Sequence, residues 1–376
     1  MDRRKLMSSD SDIEKLSGTP KSMLDTPVFL IDLDTMETNI AKMADYFASR
    51  PCNLRPHMKH HKTPEIAQLQ LSAGAIGVCC QKLGEAEVMV AAGITDILVT
   101  YEIVGSTKIH RLMNLNKNAD VKVTVDDASN VSDLSDAAVK HGVTLGVLVD
   151  VNVGQNRCGV PPGGKAVDLA KIVSKSPGLN LRGVNGYEGH LQAIVNHDER
   201  AKKASEAMAW LTETATAIQR SGIEVDIVSA GGTGTYNTTG NYPGVNEIQA
   251  GSYVFMDASY LKITNDFEAS GTVLATVISK PTSERAILDS GMKAISTDQW
   301  PPLVLGLPGI QICGASDEHL TIRLTDSDSR QVRPGDKIEL IPGHNDTTVN
   351  LHSHLFGVRN EALETVWEVG ARGRIR

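Results

Sequence analysis

Three short segments concentrate the side chains that can do chemistry. RPHMKHHK, from Arg55 to Lys62, holds six basic residues in eight. In an extended strand Arg55, His57, Lys59 and His61 project to one face, because strand side chains alternate with period two. Neighbouring cations penalise protonation of a lysine and favour the neutral, nucleophilic amine. A solvated basic loop or a surface anion or metal patch would use the same residues. SAGGTGTY, from Ser229 to Tyr236, joins consecutive glycines to hydroxyls, a composition that lets backbone N–H groups with Ser229, Thr233 and Thr235 approach a phosphate. It is neither a Walker A loop nor G-x-G-x-x-G, and a plain tight turn has the same make-up. In PGHNDTT, His344 and Asp346 stand one residue apart, so in an extended segment an imidazole nitrogen and a carboxylate oxygen can share one divalent cation. Two protein ligands leave positions for water and substrate, which suits a catalytic ion better than a closed structural zinc site. A hydrogen-bonded His–Asp turn is the alternative. His352 and His354 repeat the spacing, as further ligands or as bystanders.

Arg157, in GQNRCG, and Tyr187, closing LRGVNGY, follow two strand-like runs and could face a planar ligand, a salt-bridge partner or the core. The sequence contains no G-x-S-x-G elbow, no H-E-x-x-H helix and no C-x-x-C pair, so serine hydrolase, zincin and thioredoxin-like chemistry have no support.

These segments need a scaffold. The chain has 376 residues, with 37 Lys plus Arg against 45 Asp plus Glu and a net charge of -8. At ~150 residues per domain that length suits two to three domains, or one large barrel with a smaller partner. Apolar residues at 41 % and charged ones at 22 % exclude a disordered chain. Aromatics at 4 % and the acidic balance argue against nucleic-acid binding. No apolar run approaches the ~20 residues that span a bilayer. The N-terminus has no apolar h-region and reads as a polar arm rather than a secretory signal. Five cysteines without metal-type spacing (Cys52, Cys79, Cys80, Cys158 and Cys313) are expected to be reduced and structural, in a cytoplasmic setting.

From VFLID (28–32) onward, short apolar runs alternate with helix-period stretches. Strands are expected at 53–59, 75–80, 96–100, 121–125, 144–151, 181–187 and 225–230, with helices at 64–73, 83–92, 126–141, 164–175 and 198–221. After VFLID, Asp34 and Glu37 have capping-box spacing, and Met36, Ile40, Met43 and Phe47 share one helix face. This order favours a (β/α)8 barrel over a doubly wound sheet and puts Lys59 and the 229–236 turn at carboxyl ends of strands, where barrel active sites lie. After about residue 265 only strand-like runs remain. The expected organisation is an arm at 1–25, a barrel at 26–265 and a mostly-β domain at 266–376.

Taken together, TPVFLIDLDTMETNI, RPHMKHHKTPEIAQLQLSAGAIGVCCQKLGEAE, GQNRCGV, SAGGTGTY, GSYVFMD and PGHNDTTVNL resemble the fold-type III, alanine racemase-like pyridoxal-phosphate enzymes. Within them the chain is similar to the D-threonine aldolase and D-serine dehydratase branch, closest to the aldolases, from about residue 25 to the end. The resemblance implies a barrel plus a β domain, usually in a homodimer. It implies that Lys59 carries pyridoxal 5'-phosphate and that Arg157 contacts the phenolic oxygen. It further implies that Gln81 and Tyr187 line the ring, and that Ser229, Gly232, Thr233, Ser252 and Tyr253 cradle the phosphate. His344 and Asp346 would bind the metal. The harder His-x-Asp pair favours Mn2+ or Mg2+, with Zn2+ suiting the His-x-Cys pair of the dehydratases. Aldolase relatives show HCDPT and an aromatic YDWY segment where this chain has HNDTT and HSHLF, and Met58 replaces a smaller residue.

The implied activity is retro-aldol cleavage of D-β-hydroxy-α-amino acids, D-threonine giving glycine and acetaldehyde. The alternatives are a D-serine or 3-hydroxyaspartate dehydratase, a 3-hydroxyaspartate aldolase, and a noncatalytic cofactor carrier. The partner is a small amino acid, with no nucleic acid and no membrane.

Overall fold

The computed structural model describes residues 16–376; residues 1–15 of the expected arm lie outside the described residues. Residues 18–20 of that arm are not loose. Gly18 N–H donates to Leu363 O at 2.8 Å, and Pro20 bridges Ala362. The chain divides into two compact units, residues 41–60, 64–252 and 373–376, and residues 16–40, 61–63 and 253–372.

The first elements are β1 (Val28–Asp32) and α1 (Leu33–Ala48). Met36, Ile40, Met43 and Phe47 are all buried, as their spacing requires. The cap differs from expectation: Asp32, not Asp34, accepts the Thr35 N–H at 2.8 Å. Asp34 and Glu37 instead pair with Arg359.

The barrel unit holds β2 (Asn53–Leu54), α2 (Pro64–Ser72), β3 (Val78–Cys80), α3 (Leu83–Ala91), β4 (Asp96–Glu102), α4 (Ser106–Asn116), β5 (Asp120–Val125) and α5 (Ala128–His141). It continues with β6 (Leu145–Asp150), α6 (Gly164–Lys175), β7 (Leu179–Gly186), α7 (His197–Arg220), β8 (Ile227–Ala230), α8 (Tyr236–Thr239) and β9 (Glu247–Ile248). The eight strands β2 to β9 are parallel, in the order β2-β9-β8-β7-β6-β5-β4-β3. A His57–Cys79 bridge, with Met58 N–H on Cys79 O and Cys79 N–H on Pro56 O at 2.9 Å each, joins the two end strands. This is the sheet of the expected barrel, with its own helices between strands. Helix α5 shows how the sequence punctuates it. Asp127 accepts the N–H groups of Ser129 and Asn130, and the helix stops at left-handed Gly142.

The barrel interior is polar along much of its length. Arg55 pairs with Asp96 at 2.7 Å and with Glu247 at 2.9 Å, and Lys122 pairs with Asp96 and Asp120 at 2.8 Å. From Glu247 the chain of contacts runs to Ser229 Oγ (2.7 Å), Gln249, Asn185 and Asp150. Arg55, Lys122 and Glu247 are buried, which is tolerable because each is paired, while Asp96 is half-buried and Asp120 exposed.

The other unit is built on β10 (Gly271–Thr282), β11 (Arg285–Leu288), β12 (Leu303–Val304), β13 (Ile310–Ala315), β14 (Leu320–Leu324), β15 (Lys337–Ile341), α9 (Asn345–Val349), β16 (His354–Arg359) and β17 (Ala362–Glu368). Its sheet runs β13-β14-β11-β10-β1-β16-β17, with β15 on β10 and β12 on β15. Strand β1 therefore does not open the barrel, as its place before a helix suggested. It lies antiparallel to β10 and parallel to β16. Val28 to Ile31 are all buried, and a continuous apolar run suits the middle of either sheet.

All five cysteines are free; Cys52, Cys79 and Cys80 are buried, while Cys158 and Cys313 are exposed. Among the described residues no helix is long and apolar enough to cross a membrane.

Candidate active site

In the barrel unit, the carboxyl ends of the strands collect most of the candidate residues. Lys59, half-buried, follows the last bridge residue of the β2 segment. Strand geometry ends at His57, and Met58 to His61 form a turn. The expected single face of Arg55, His57, Lys59 and His61 is thereby corrected. Arg55 is 2 % exposed, and its guanidinium is taken by Asp96 and Glu247. It is neither a neighbouring cation to Lys59 nor a rim charge for a substrate carboxylate. His57 Nε2 lies 3.2 Å from Thr100 Oγ1, and its Nδ1 faces the Lys59 N–H at 3.4 Å.

Gln81 follows β3. Its amide donates to Thr100 O at 3.1 Å, and its backbone N–H donates to Glu85 at 2.8 Å. Arg157 is exposed beyond β6, with its guanidinium carbon 6.0 Å from the centre of the Tyr187 ring, beyond β7. The Gly-rich turn beyond β8 is organised by two residues that carry no motif, Glu188 and Gln192. Glu188, 0 % exposed, accepts Thr235 Oγ1–H at 2.7 Å, Thr239 Oγ1–H at 2.6 Å and Gly231 N–H at 3.1 Å. Gln192 accepts Gly234 N–H at 2.8 Å and donates to Thr235 Oγ1 at 3.0 Å. Gly231 needs its left-handed φ of 80°, and a Cβ on Gly232 would stand 2.9 Å from Gln192 Oε1. Thr233 is buried in this turn. Ser229 lies lower, its hydroxyl donating to Glu247 and accepting from Gln249. Ser252 opens a short turn beyond β9, and Tyr253, in the β unit, is buried with its ring 5.7 Å from that of Phe267.

A lysine amine, an arginine beside an aromatic ring and a rigid Gly-Thr turn fit a phosphorylated aldehyde cofactor. The amine can bind the aldehyde, the guanidinium can face a phenolate, and the small residues leave room for a phosphate.

Asp150 ends β6. Its burial is the main cause of a raised pKa; the Asn185 amide opposes it, the carboxylates of Glu102 and Asp126 add to it, and Arg157 opposes it, leaving it pushed up to about 7. A carboxyl so raised keeps its proton in the folded state while the unfolded chain has released it. Stability therefore falls as pH rises from about 4 to about 7, by an amount on the order of a few kcal/mol. Asp150→Asn, which keeps an acceptor for Asn185, should remove that fall. Urea midpoints at pH 5 and pH 8 test this, and equal pH dependence in both proteins would contradict it.

In the β unit, His344 caps α9 and Asp346 lies in its first turn. His344 Nε2 and Asp346 Oδ2 are 3.5 Å apart, close enough for the two residues to hold one divalent cation. On the opposite ring edge, His344 Nδ1 meets Asp298 Oδ2 at 3.1 Å. Burial works against charge on this imidazole, but the carboxylates of Asp346 and Asp298 outweigh it and hold the pKa up at about 9. The donor set fits a divalent cation. Asn345 is fully buried and donates its backbone N–H to Asp257 Oδ2 at 3.2 Å. His352, half-buried, is engaged away from the pair: Nε2 meets Ala294 O at 2.7 Å, and the ring packs edge-on to Phe29.

Asp298, Glu188 and Gln192 were not legible in the sequence. The only signal near Asp298 is a short polar turn, STDQ.

The chain is similar to known proteins over nearly its whole length. The family model described as alanine racemase, N-terminal domain, matches residues 31–259, and the model described as putative serine dehydratase domain matches residues 270–358. The chain belongs to the alanine racemase-like family, in its D-threonine aldolase and D-serine dehydratase branch. It is 40 % identical to 3-hydroxy-D-aspartate aldolase of Paracoccus denitrificans (strain Pd 1222), covering 96 % of both chains. It is also 40 % identical to D-threonine aldolase of an Arthrobacter species, covering 95 % of both. The crystal structure of D-threonine aldolase from Filomicrobium marinum superposes with a TM-score of 0.93 at 40 % identity, over 96 % of this chain and 99 % of that one.

Proposed function

We propose that this chain is an aldehyde-lyase that cleaves D-configured β-hydroxy-α-amino acids between Cα and Cβ, releasing glycine and an aldehyde. The observation that carries the reading is 40 % identity, over nearly the whole length of both chains, to two proteins named for aldolase activity. Lys59 would hold pyridoxal phosphate, and His344 with Asp346 would hold a divalent cation.

The cofactor, when bound, supplies an electron sink for the carbanion left at Cα. The cation supplies a positive charge that eases ionisation of a β-hydroxyl. The chain itself supplies position. The Lys59 amine fixes the cofactor and is available to carry a proton at Nζ. Arg157 presents a permanent positive charge, which disfavours protonation of an oxygen facing it. Glu188 and Gln192 hold the 231–235 turn in one shape before any phosphate arrives, so little ordering entropy is lost on binding. Gln81 and Tyr187 are the proposed ring neighbours, and Ser229, Gly232, Thr233, Ser252 and Tyr253 the proposed phosphate surroundings. For Ser229 that role would require exchanging its present Glu247 contact.

The same reading includes Mn2+ or Mg2+ as the working ion, a homodimer and a cytoplasmic setting in which the thiols stay reduced. The test is incubation with D-threonine, D-phenylserine, D-serine and the 3-hydroxyaspartate isomers, with and without Mn2+. Glycine plus acetaldehyde, benzaldehyde or glyoxylate is the expected product set, and the aldehyde identifies the preferred side chain. Pyruvate or oxaloacetate would instead indicate β-elimination, the activity suggested by the match of residues 270–358 to the serine dehydratase domain model. Chelation with EDTA, or His344→Ala, should stop cleavage while the protein keeps its cofactor; full activity after thorough chelation would refute the metal role.

A further inference from the structure

We propose that Asp298 is a positioning residue for the divalent cation: it holds the proton of His344 on Nδ1 and so commits Nε2, the nitrogen facing Asp346, to the metal. The inference rests on the reading of His344 and Asp346 as metal ligands. A carboxylate only accepts hydrogen bonds, so the 3.1 Å contact between Asp298 Oδ2 and His344 Nδ1 requires the hydrogen on Nδ1. An imidazole that keeps this hydrogen has one remaining lone-pair position, Nε2, which lies 3.5 Å from Asp346 Oδ2. The same contact fixes the plane of the ring, and ring orientation sets the direction of the donor orbital.

Asp298 is itself held. Its Oδ1 accepts the hydroxyl of Ser296 at 2.6 Å and that of Thr347 at 3.0 Å. Ser296 N–H donates to Thr348 Oγ1 at 3.1 Å, and that hydroxyl donates to His344 O at 2.8 Å. Two consecutive threonines of the metal motif thus tie the 296–298 turn to the histidine it must orient. The backbone of the motif is anchored separately. Asp257, fully buried, takes the Asn345 N–H through Oδ2 and the Ser259 and Tyr260 N–H groups through Oδ1. The motif backbone thus has an anchor besides Asp298, whose Oδ2 meets the imidazole.

The test uses the full-length holoenzyme, freed of metal and titrated with Mn2+ by electron paramagnetic resonance of the free ion. Asp298→Ala should weaken Mn2+ binding by about 10- to 100-fold, the effect usual for a carboxylate behind a metal-bound histidine, with cofactor content and metal-free melting temperature unchanged. Asp298→Asn, which keeps an oxygen acceptor, should lose less, and it serves as the second variant if Asp298→Ala does not fold. In the Mg2+-loaded protein, 15N-histidine spectra should show the His344 proton on Nδ1, and Asp298→Ala should remove that preference. Unchanged Mn2+ affinity in both Asp298 variants, with affinity lost in His344→Ala, would overturn the positioning role and leave the metal site standing. Unchanged affinity in His344→Ala would overturn both.

Discussion

Replacing Lys59 with alanine is expected to abolish both the visible absorbance of a lysine-bound pyridoxal phosphate and the cleavage of D-β-hydroxy amino acids. The loss in kcat should reach at least roughly three orders of magnitude, the scale on which removal of a nucleophile or proton carrier acts. The choice of lysine comes from the resemblance to the fold-type III enzymes, and its position suits it. Lys59 sits at the carboxyl-end rim of the barrel, immediately beyond the bridge that joins the two end strands. Absorbance and product formation should be measured on the same preparation. Retained cleavage would sink the assignment, and retained absorbance would point to another lysine.

Replacing Arg55 with methionine should cost about 3–5 kcal/mol of stability. The cost is not the loss of two attractive contacts as such. Glu247 is 2 % exposed and would lose its cation to an apolar side chain, while Asp96 would keep Lys122. An uncompensated buried carboxylate is the expensive species, since the net worth of a buried ion pair against a well-packed apolar pair is often near zero. Adding Glu247→Gln should therefore recover a substantial part of the loss. Urea unfolding of the two variants measures this. A single variant as stable as the native protein would overturn this account of the Arg55–Glu247 pair.

Much of the scaffold was legible because local pattern determines it. Helices at 128–141 and 164–175 follow from apolar spacing and from stops such as Gly142. The strands β4 to β8 follow from short apolar runs between them, and their order implied a barrel. The strand-like texture after residue 265 corresponds to strands β10 to β17. The chemical residue types were legible too: a lysine in a basic cluster, glycines with hydroxyls, and a His-x-Asp pair.

Pairing was not legible. VFLID is equally apolar in either sheet, and only the long-range register to β10 and β16 places it in the β unit. The period-two reading of Arg55 to His61 failed because extended geometry stops at His57. Which charges neutralise Arg55 depends on Asp96, 41 residues away in sequence, and on Glu247 from the last strand. The partner of His344 lies 46 residues upstream, in a turn with no pattern of its own. By itself the sequence determined which elements form and which reactive groups the chain carries, since propensity and periodicity act over a few neighbouring residues. The tertiary structure alone decided which sheet β1 joins, that Arg55 is a buried counter-ion rather than an active-site cation, and that Asp298 faces His344. Those outcomes are set by contacts between distant segments, where burial makes each unpaired charge costly and so selects its partner.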